Sequence, residues 1–424
     1  MTGAARPGWR PGSTVAVEAA TPGVRVVMDV RPLQDPDRAP LTAAYLEGLL
    51  GALDADPVAG ESFSFLLASD LDDPTDRWPN LEVVGRRLLP PTRFLRSGAL
   101  TVDPVLLRGA SLGAGWRAER DGAAGAVYHA AAGALPLASG IPVVAVLLDL
   151  APWSMPGAYQ RGFAARFGQR IRGQLLRDAA AILVPSTDAA EETRRLLHVR
   201  RSAIHVVPLA ARFAFRPEAA ADALVERERL GLGERYAVFA GRYDARQDLS
   251  TLLAALADLA AAPAPKKGTP WPPRVCLVGA TPDDRAAVSR AAARAGIAEL
   301  LAYAPQLSDD RLAALVAGAR FLVHAVRSDA TGIAALDAIA AGVPVVASSV
   351  GALKEIVGSA GILVEPGDAA RLATAVRAAW SDDRLHARLA AAAIARSATR
   401  RTWADVARET RVAWAAVARR APML

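Results

Sequence analysis

Short apolar segments rich in β-branched residues alternate along this chain with segments of helical periodicity. In the first half, such apolar segments lie at 24–28, 62–67, 126–129, 143–148 and 181–184. Strands that alternate with helices form parallel sheets covered by helices on both faces. The pattern therefore predicts an α/β domain over residues 24–208, preceded by a flexible N-terminus, residues 1–23.

The alternation stops over the charged residues 209–235, which are predicted to be a linker, and then resumes. Further apolar segments lie at 236–240, 275–278, 300–303, 321–323 and 343–347. They predict a second Rossmann-like domain, residues 236–383, and C-terminal helices over residues 384–424, with one helix at about 384–418. Two doubly wound domains direct the carboxyl ends of two parallel sheets toward one cleft. The sequence thus predicts a cleft for two substrates.

Composition narrows the class of protein further. The single cysteine, Cys276, permits neither an intrachain disulfide nor a cysteine-based zinc site, and it favours a cytoplasmic location. The net charge of +7 suits anionic partners. Nucleic acid is not expected as a partner, because aromatic residues are only 5% of the chain and no dense Lys/Arg block occurs. No G-x-G-x-x-G follows the first strand and no Walker A pattern occurs, which argues against nicotinamide enzymes and P-loop NTPases.

One uncharged stretch, residues 122–148, has the length of a membrane span. Gly133, Pro136, Gly140 and Pro142 interrupt it. Such interruptions suit two short buried strands better than one helix. The stretch is therefore predicted to contribute two strands of the first sheet.

The most informative segment follows the apolar run at 321–323. A predicted strand leads through the loop 327–330 into a helix, whose first-turn amides, at 331–333, would face the cleft and suit a phosphate. The alternative is an ordinary helix cap by Asp329. Asp337 lies on an apolar helix face and needs a partner there, which sugar or ribose hydroxyls could supply. The alternative partner is an arginine elsewhere in the chain.

Basic residues and one histidine also lie at predicted strand ends. Arg242 and Arg246 follow the first strand of the second domain, where an arginine can neutralise a diphosphate; the alternative is plain surface charge. His129 ends a strand of the first domain and is the histidine best placed to face the cleft. The alternative is a capped or core-edge histidine.

The second domain resembles the donor-binding half of the retaining GT-B glycosyltransferases of glycosyltransferase family 4, the glycosyl transferases group 1. The family pattern of two glutamates separated by seven residues corresponds to Asp329 and Asp337, and the tail of the motif is AIAAGVPVVAS at 338–348. Weaker similarity lies at 240–242, 278–279, 204–208, 184–186 and 30–33.

The resemblance implies a retaining transferase that moves a sugar from a nucleotide-diphosphate sugar to an acceptor, with no cofactor and no metal. It implies catalytic roles for Asp329, at the transferred sugar, and Arg242, at the diphosphate. The donor would also contact Gly241, Arg246, Gln247, Ser328, Thr331, Gly332, Ile333 and Asp337. His129 and Asp149 would lie on the acceptor side, and the terminal helix near Trp403 would return to the first domain.

Departures from the family pattern keep other functions open. Both motif glutamates are aspartates, the lysine that partners the diphosphate arginine falls at Gln247, and the histidine before Asp149 falls at Leu148. One alternative is a weakened or inactive relative that binds a sugar nucleotide or serves as a partner subunit. Another is a GT-B enzyme of a different class, such as an epimerase or hydrolase. The acceptor is predicted to be a sugar or a lipid-linked sugar, the latter with peripheral docking at the inner face of the membrane.

Overall fold

A computed structural model describes residues 23–418, apart from 112–113, 115–116, 118–119, 121–122, 132, 242 and 266–267. Within this part, thirteen strands form two sheets of seven and six strands, and all the pairings between these strands are parallel. The predicted fold class, two doubly wound parallel-sheet domains of GT-B type, is thereby confirmed. Of the predicted flexible N-terminus, residues 1–22 lie outside the described residues.

The first sheet has the spatial order β3-β2-β1-β4-β5-β6-β7. Its strands are β1 (Arg25–Asp29), β2 (Ser62–Ala68), β3 (Val83–Leu89), β4 (Ala126–Ala130), β5 (Val143–Val146), β6 (Ala181–Val184) and β7 (Ile204–Val206). Its helices include α1 (Arg31–Gln34), α2 (Pro40–Ala55), α3 (Ala99–Ser111), α4 (Ala151–Ser154), α5 (Pro156–Tyr159), α6 (Phe163–Asp178) and α7 (Thr187–Leu197). The uncharged stretch thus contributes β4 and β5, and no helix in the described part is long and apolar enough to cross a membrane.

The second sheet has the order β10-β9-β8-β11-β12-β13. Its strands are β8 (Ala237–Ala240), β9 (Val275–Val278), β10 (Leu301–Ala304), β11 (Phe321–His324), β12 (Val345–Ser348) and β13 (Gly361–Val364). The helices before and around it include α8 (Ala223–Arg229), α9 (Leu249–Ala261), α10 (Pro282–Arg294), α11 (Asp309–Ala317), α12 (Ile333–Ala340), α13 (Leu353–Ile356), α14 (Ala369–Ser381), α15 (Asp383–Ala398) and α16 (Trp403–Ala418).

Each sheet has an apolar core on both of its faces. The core strands read as continuous apolar runs because side chains on both faces of a covered parallel sheet are buried. In the first sheet one core also contains Trp403, Val406 and Trp414 of α16. The last described helix therefore packs on the first domain, against α2.

The predicted single helix at 384–418 is wrong. It is two helices, α15 and α16, separated at 399–402. Thr402 starts the second helix with a reciprocal cap: its hydroxyl accepts from the Asp405 amide at 3.3 Å, and the Asp405 carboxylate accepts from the Thr402 amide at 2.9 Å. The segment predicted as a linker also holds a helix, α8. The predicted domain boundaries remain proposals.

Candidate functional site at the interdomain cleft

A cleft of about 530 Å³ lies between the two domains. Its first-domain wall includes Ser154, Met155 and residues of α7. Its second-domain wall includes Ser328, Asp329 and Gly351. These residues follow strands β5, β11 and β12, so the cleft lies at the carboxyl edges of the sheets, where doubly wound folds bind ligands.

Polar contacts join the two domains beside this cleft. Lys354 pairs with Asp188 at 2.5 Å, and the Glu355 carboxylate accepts from the Asp188 backbone amide at 2.9 Å. The Ser186 hydroxyl donates to the Ala330 carbonyl at 3.3 Å. The start of α7 is therefore bound to the second domain.

Asp329 lies at the cleft with 15% of its side chain exposed. Its Oδ2 atom is 2.8 Å from His324 Nε2, and its Oδ1 atom accepts from the amides of Thr331 and Gly332 at 3.0 and 2.8 Å. Burial raises the pKa of this carboxyl, but the bonds from His324 and the two amides outweigh burial and hold the pKa below its ordinary value. Asp329 is therefore an ionised carboxylate fixed in one orientation.

The loop before α12 turns around Asp329, while the N-cap residue of the helix is Gly332, which makes no side-chain capping bond. Because the Thr331 and Gly332 amides donate to Asp329, they are not free for a phosphate in this state. Gly332 has φ +61° and an added Cβ would lie 2.4 Å from Ile356, so this position requires glycine. Ile333 begins α12. The expectation of free amides at 331 and 332 is corrected accordingly.

Asp337 does not line the cleft. It is only 2% exposed, and its two oxygens accept from the Arg212 backbone amide at 2.9 Å and from Arg212 Nε at 2.8 Å. Arg212 also pairs with Asp309. Burial raises the pKa of Asp337, and the Arg212 guanidinium opposes that shift. The expected ribose contact is thus replaced in this structure by the alternative, a carboxylate paired with an arginine.

The predicted diphosphate site follows β8. Arg246 binds Asp244 at 2.6 Å and reaches Asp149 of the first domain at 3.0 Å. Gln247 lies against Gly241, and its Oε1 atom is buried without a hydrogen-bond partner. Arg242, the predicted catalytic arginine, lies outside the described residues. The Arg246 guanidinium is therefore held by two carboxylates. Arg327, after the neighbouring strand β11, also lines the cleft and is paired with Asp248 at 3.0 Å.

His129 does not face the cleft. It is fully buried in the first domain, where Trp414 Nε1 donates to its Nδ1 at 3.1 Å and the Tyr45 hydroxyl lies 3.3 Å from its Nε2. Burial lowers the pKa of His129 to about 3. The prediction of a cleft-facing histidine is wrong; His129 is a neutral core residue that anchors α16.

Asp149 is the predicted acceptor-side residue that does reach the cleft region. Its Oδ1 atom accepts from the Ala151 amide at 2.9 Å, which positions its Oδ2 atom toward Arg246. Nearby, Arg172 stacks on Trp153 at 4.8 Å, and both Arg172 Nε and Ser154 Oγ are buried without a hydrogen-bond partner. This wall therefore holds polar atoms whose hydrogen-bonding capacity is unused.

Sequence reasoning missed partners of three predicted site residues, Asp329, Arg246 and Asp337. His324 could have been found, because it ends the strand that leads into Asp329. Asp244 could have been found two residues before Arg246. Arg212 gave no local signal, since it is 125 residues from Asp337 in the chain. Among the described residues, no group of three or more His, Cys, Asp or Glu side chains could hold a metal ion.

Comparison with known families gives a match in the second domain. Residues 234–382 match the family described as glycosyl transferases group 1. The D-inositol 3-phosphate glycosyltransferase of Streptomyces avermitilis is 32% identical over 235 residues, which are 53% of this chain and 50% of that protein. The chain spans about half the length of the curated relatives it matches.

Solved structures match over nearly the whole chain. Sucrose-phosphate synthase from Thermosynechococcus elongatus has a TM-score of 0.67 and 19% identity, covering 92% of this chain and 98% of that one. Anabaena HepE in complex with UDP-glucose has a TM-score of 0.65 and 16% identity, with the same two coverages. At these identities the likeness shows the fold. The chain therefore has the fold of GT-B glycosyltransferases, and residues 234–382 carry the similarity to group 1.

Proposed function

We propose that the chain transfers a sugar from a nucleotide-diphosphate sugar to an acceptor, with retention of the anomeric configuration. The observation that carries the proposal is the group 1 match at 234–382, because it includes the loop of Asp329 at the carboxyl edge of the second sheet. The relatives named D-inositol 3-phosphate glycosyltransferase and the HepE complex with UDP-glucose support a nucleotide-sugar donor.

The donor diphosphate is assigned to the loop after β8. Arg246, together with Arg242, Gly241 and Gln247, would meet it there. When the bond to the sugar breaks, negative charge develops on the departing diphosphate, and an arginine beside it stabilises that charge. Since Arg246 is paired with Asp149 at 3.0 Å, the incoming phosphate competes with this carboxylate.

The transferred sugar is assigned to the cleft beside Ser328 and Asp329. An ionised, oriented carboxylate can accept hydrogen bonds from sugar hydroxyls. The 2.8 Å contact between His324 Nε2 and Asp329 Oδ2 fixes the orientation of the Asp329 carboxylate. Ile333 is proposed to remain on the donor side, at the start of α12.

The acceptor is assigned to the first-domain wall, beside Asp149 and Ser154. Buried polar atoms without partners cost free energy unless a ligand or water satisfies them. Ser154, which lines the cleft, has one such atom, its Oγ. This hydroxyl suits a polar acceptor, either a sugar or the sugar of a lipid-linked substrate.

The test is release of nucleoside diphosphate from a panel of nucleotide sugars by purified protein, with Arg242→Ala, Arg246→Ala and Asp329→Ala as variants. Losing one charge-assisted contact should slow turnover roughly ten- to a hundredfold. Arg371→Ala, at a residue whose side chain is 72% exposed, is the matched control and should leave turnover unchanged. Proton NMR of the product's anomeric coupling tests retention.

A second candidate function is a sugar-nucleotide binder or partner subunit without turnover. It is favoured by Gln247, which brings no charge to the diphosphate site, and by the carboxylates that already hold Arg246. Binding of one nucleotide sugar with no release of diphosphate by any donor would support it. Release of free sugar without an acceptor would instead indicate a hydrolase or epimerase.

A further inference from the structure

Exposed apolar side chains concentrate on one face of the first domain, far along the chain from the donor loops. This face is formed by the 3-10 helix Arg93–Gly98 and by α3 and α6, which pack against one another. Six of the fifteen large hydrophobic side chains that are exposed in the described part lie on these three elements: Phe94, Leu95, Val102, Val105, Phe163 and Phe167. Together they are called the Phe163 face.

The aromatic pair at the start of α6 is the most exposed feature of this face. Phe163 is 77% exposed and Phe167 is 42% exposed, and their rings stack in parallel with centroids 5.9 Å apart. Contiguous apolar surface of this kind marks an interaction site in a folded protein. The Phe163 face therefore has the character of an interaction surface.

The Phe163 face is surrounded by positive charge, which favours an anionic partner. Residues 93–178, which span the three elements, hold ten arginines and five acidic residues, so a fifth of the chain supplies +5 of the net charge of +7. Arg166 and Arg170 are exposed on α6, and their spacing from Phe163 and Phe167 places all four on one side of the helix. Among the described residues, no carboxylate lies within ion-pair distance of Arg166 or Arg170.

We propose that the Phe163 face docks on an anionic lipid bilayer. Phenylalanine rings enter the headgroup region, and arginines beside them bind lipid phosphates. The four side chains lie on the exposed side of α6, whereas Arg172 of the same helix lies on the opposite, buried side against Trp153. The inference does not depend on donor chemistry and extends beyond the proposed function.

The test is sedimentation of the full chain with vesicles of phosphatidylcholine alone or with 30% phosphatidylglycerol. Binding is expected only to the anionic vesicles, and it should weaken as salt rises. Arg166→Gln with Arg170→Gln should weaken partitioning about 30-fold, at about 1 kcal/mol per arginine. Phe163→Ser with Phe167→Ser should weaken it about tenfold or more.

The matched control is Ile394→Ser with Val412→Ser, two exposed apolar residues of α15 and α16, and it should bind like wild type. Circular dichroism and donor binding report whether each variant is folded. Absence of binding to anionic vesicles, or equal binding by the Phe163 variant, overturns the proposal. A wild-type dimer that the Phe163 variant converts to a monomer, seen by light scattering, also overturns it in favour of a second copy.

Discussion

Two aspartates, eight residues apart, end up in different surroundings. Asp329 lies in the loop at the cleft, partly exposed, and is held by His324 and two backbone amides. Asp337 lies inside α12, buried, and is held by Arg212, a residue from the segment before the second sheet. Both acids were expected to contact the donor, and only one of them lines the cleft.

The difference shows that the surroundings of an acid decide its role, because the two side chains are identical. Both positions hold glutamate in the pattern that this sequence resembles, and each aspartate reaches one methylene less far. Asp329 stays near the cleft because its loop lies at the sheet edge. Asp337 is satisfied inside the protein by Arg212, whose guanidinium also stacks on Phe215 at 4.6 Å. The helix position alone therefore does not decide whether an acid binds ligand.

The largest effect on the free energy of unfolding is expected at the buried aspartate, Asp337. Asp337→Ala leaves the Arg212 guanidinium without its buried carboxylate, which should lower the free energy of unfolding by about 3–5 kcal/mol. Urea unfolding measures the change. Asp258→Ala, on the exposed face of α9, is the matched control and should stay within about 0.5 kcal/mol of wild type.

A double variant tests whether the cost comes from the unpaired Arg212 or from the loss of the Asp337 side chain itself. Asp337→Leu with Arg212→Met should recover most of the stability, because apolar side chains of similar volume often replace a buried ion pair without loss. If Asp337→Ala lowers the free energy of unfolding by less than about 1 kcal/mol, the ion pair between Asp337 and Arg212 does not stabilise the fold.

A smaller effect on the free energy of unfolding is expected at Asp329, the aspartate that lines the cleft. Asp329→Asn removes the charge from the bonds to His324, Thr331 and Gly332, which should cost about 1.5–3 kcal/mol of unfolding free energy at pH 7. Because the pKa of Asp329 is lowered on folding, this contribution is fully present above the ordinary carboxyl pKa of about 3.9 and is lost as the pH falls below it through the folded pKa. Urea unfolding of both proteins at pH 7, 5 and 3.5 checks this; a difference that grows toward low pH would contradict it.

The smallest expected effect tests the carboxylates that hold the donor site. Asp149→Asn frees Arg246 from its partner in the first domain and should tighten UDP binding about two- to fivefold, as expected for a partly exposed pair. Isothermal titration measures the affinity. Asp188→Asn breaks the other interdomain ion pair, with Lys354, and should leave UDP affinity unchanged if Arg246 is the group that matters.

The interior of the fold could be predicted from sequence, and most of its edges could not. The central strands are continuous apolar runs, and their bounds agree within a few residues. The three strands not predicted, β3, β7 and β13, each lie at the edge of a sheet. The strand β3 has the sequence VVGRRLL and is largely exposed, so it carries no apolar run to recognise. The strands β7 and β13 are apolar but only three and four residues long, which makes them easy to overlook.

The site could be predicted only in part, because its partners come from distant parts of the chain. The loop of Ser328 and Asp329 was predicted at the sheet edge and lies there. Arg212 and Asp149 reach their partners over 125 and 97 residues, and no local pattern reports such a contact. The split between α15 and α16 did have a signal, the cap of Thr402 and Asp405, which the alanine-rich helical pattern obscured.

The most direct test of the account is titration of a nucleotide sugar, first UDP-glucose, into folded wild-type, Asp329→Ala and Asp337→Asn proteins at low temperature. The account predicts that Asp329→Ala weakens binding about tenfold or more, as loss of a charge-assisted contact does. Asp337→Asn should bind within about threefold of wild type, since its partner is Arg212. The opposite order, with Asp337→Asn the weaker binder, would contradict the account and assign the buried acid to the donor.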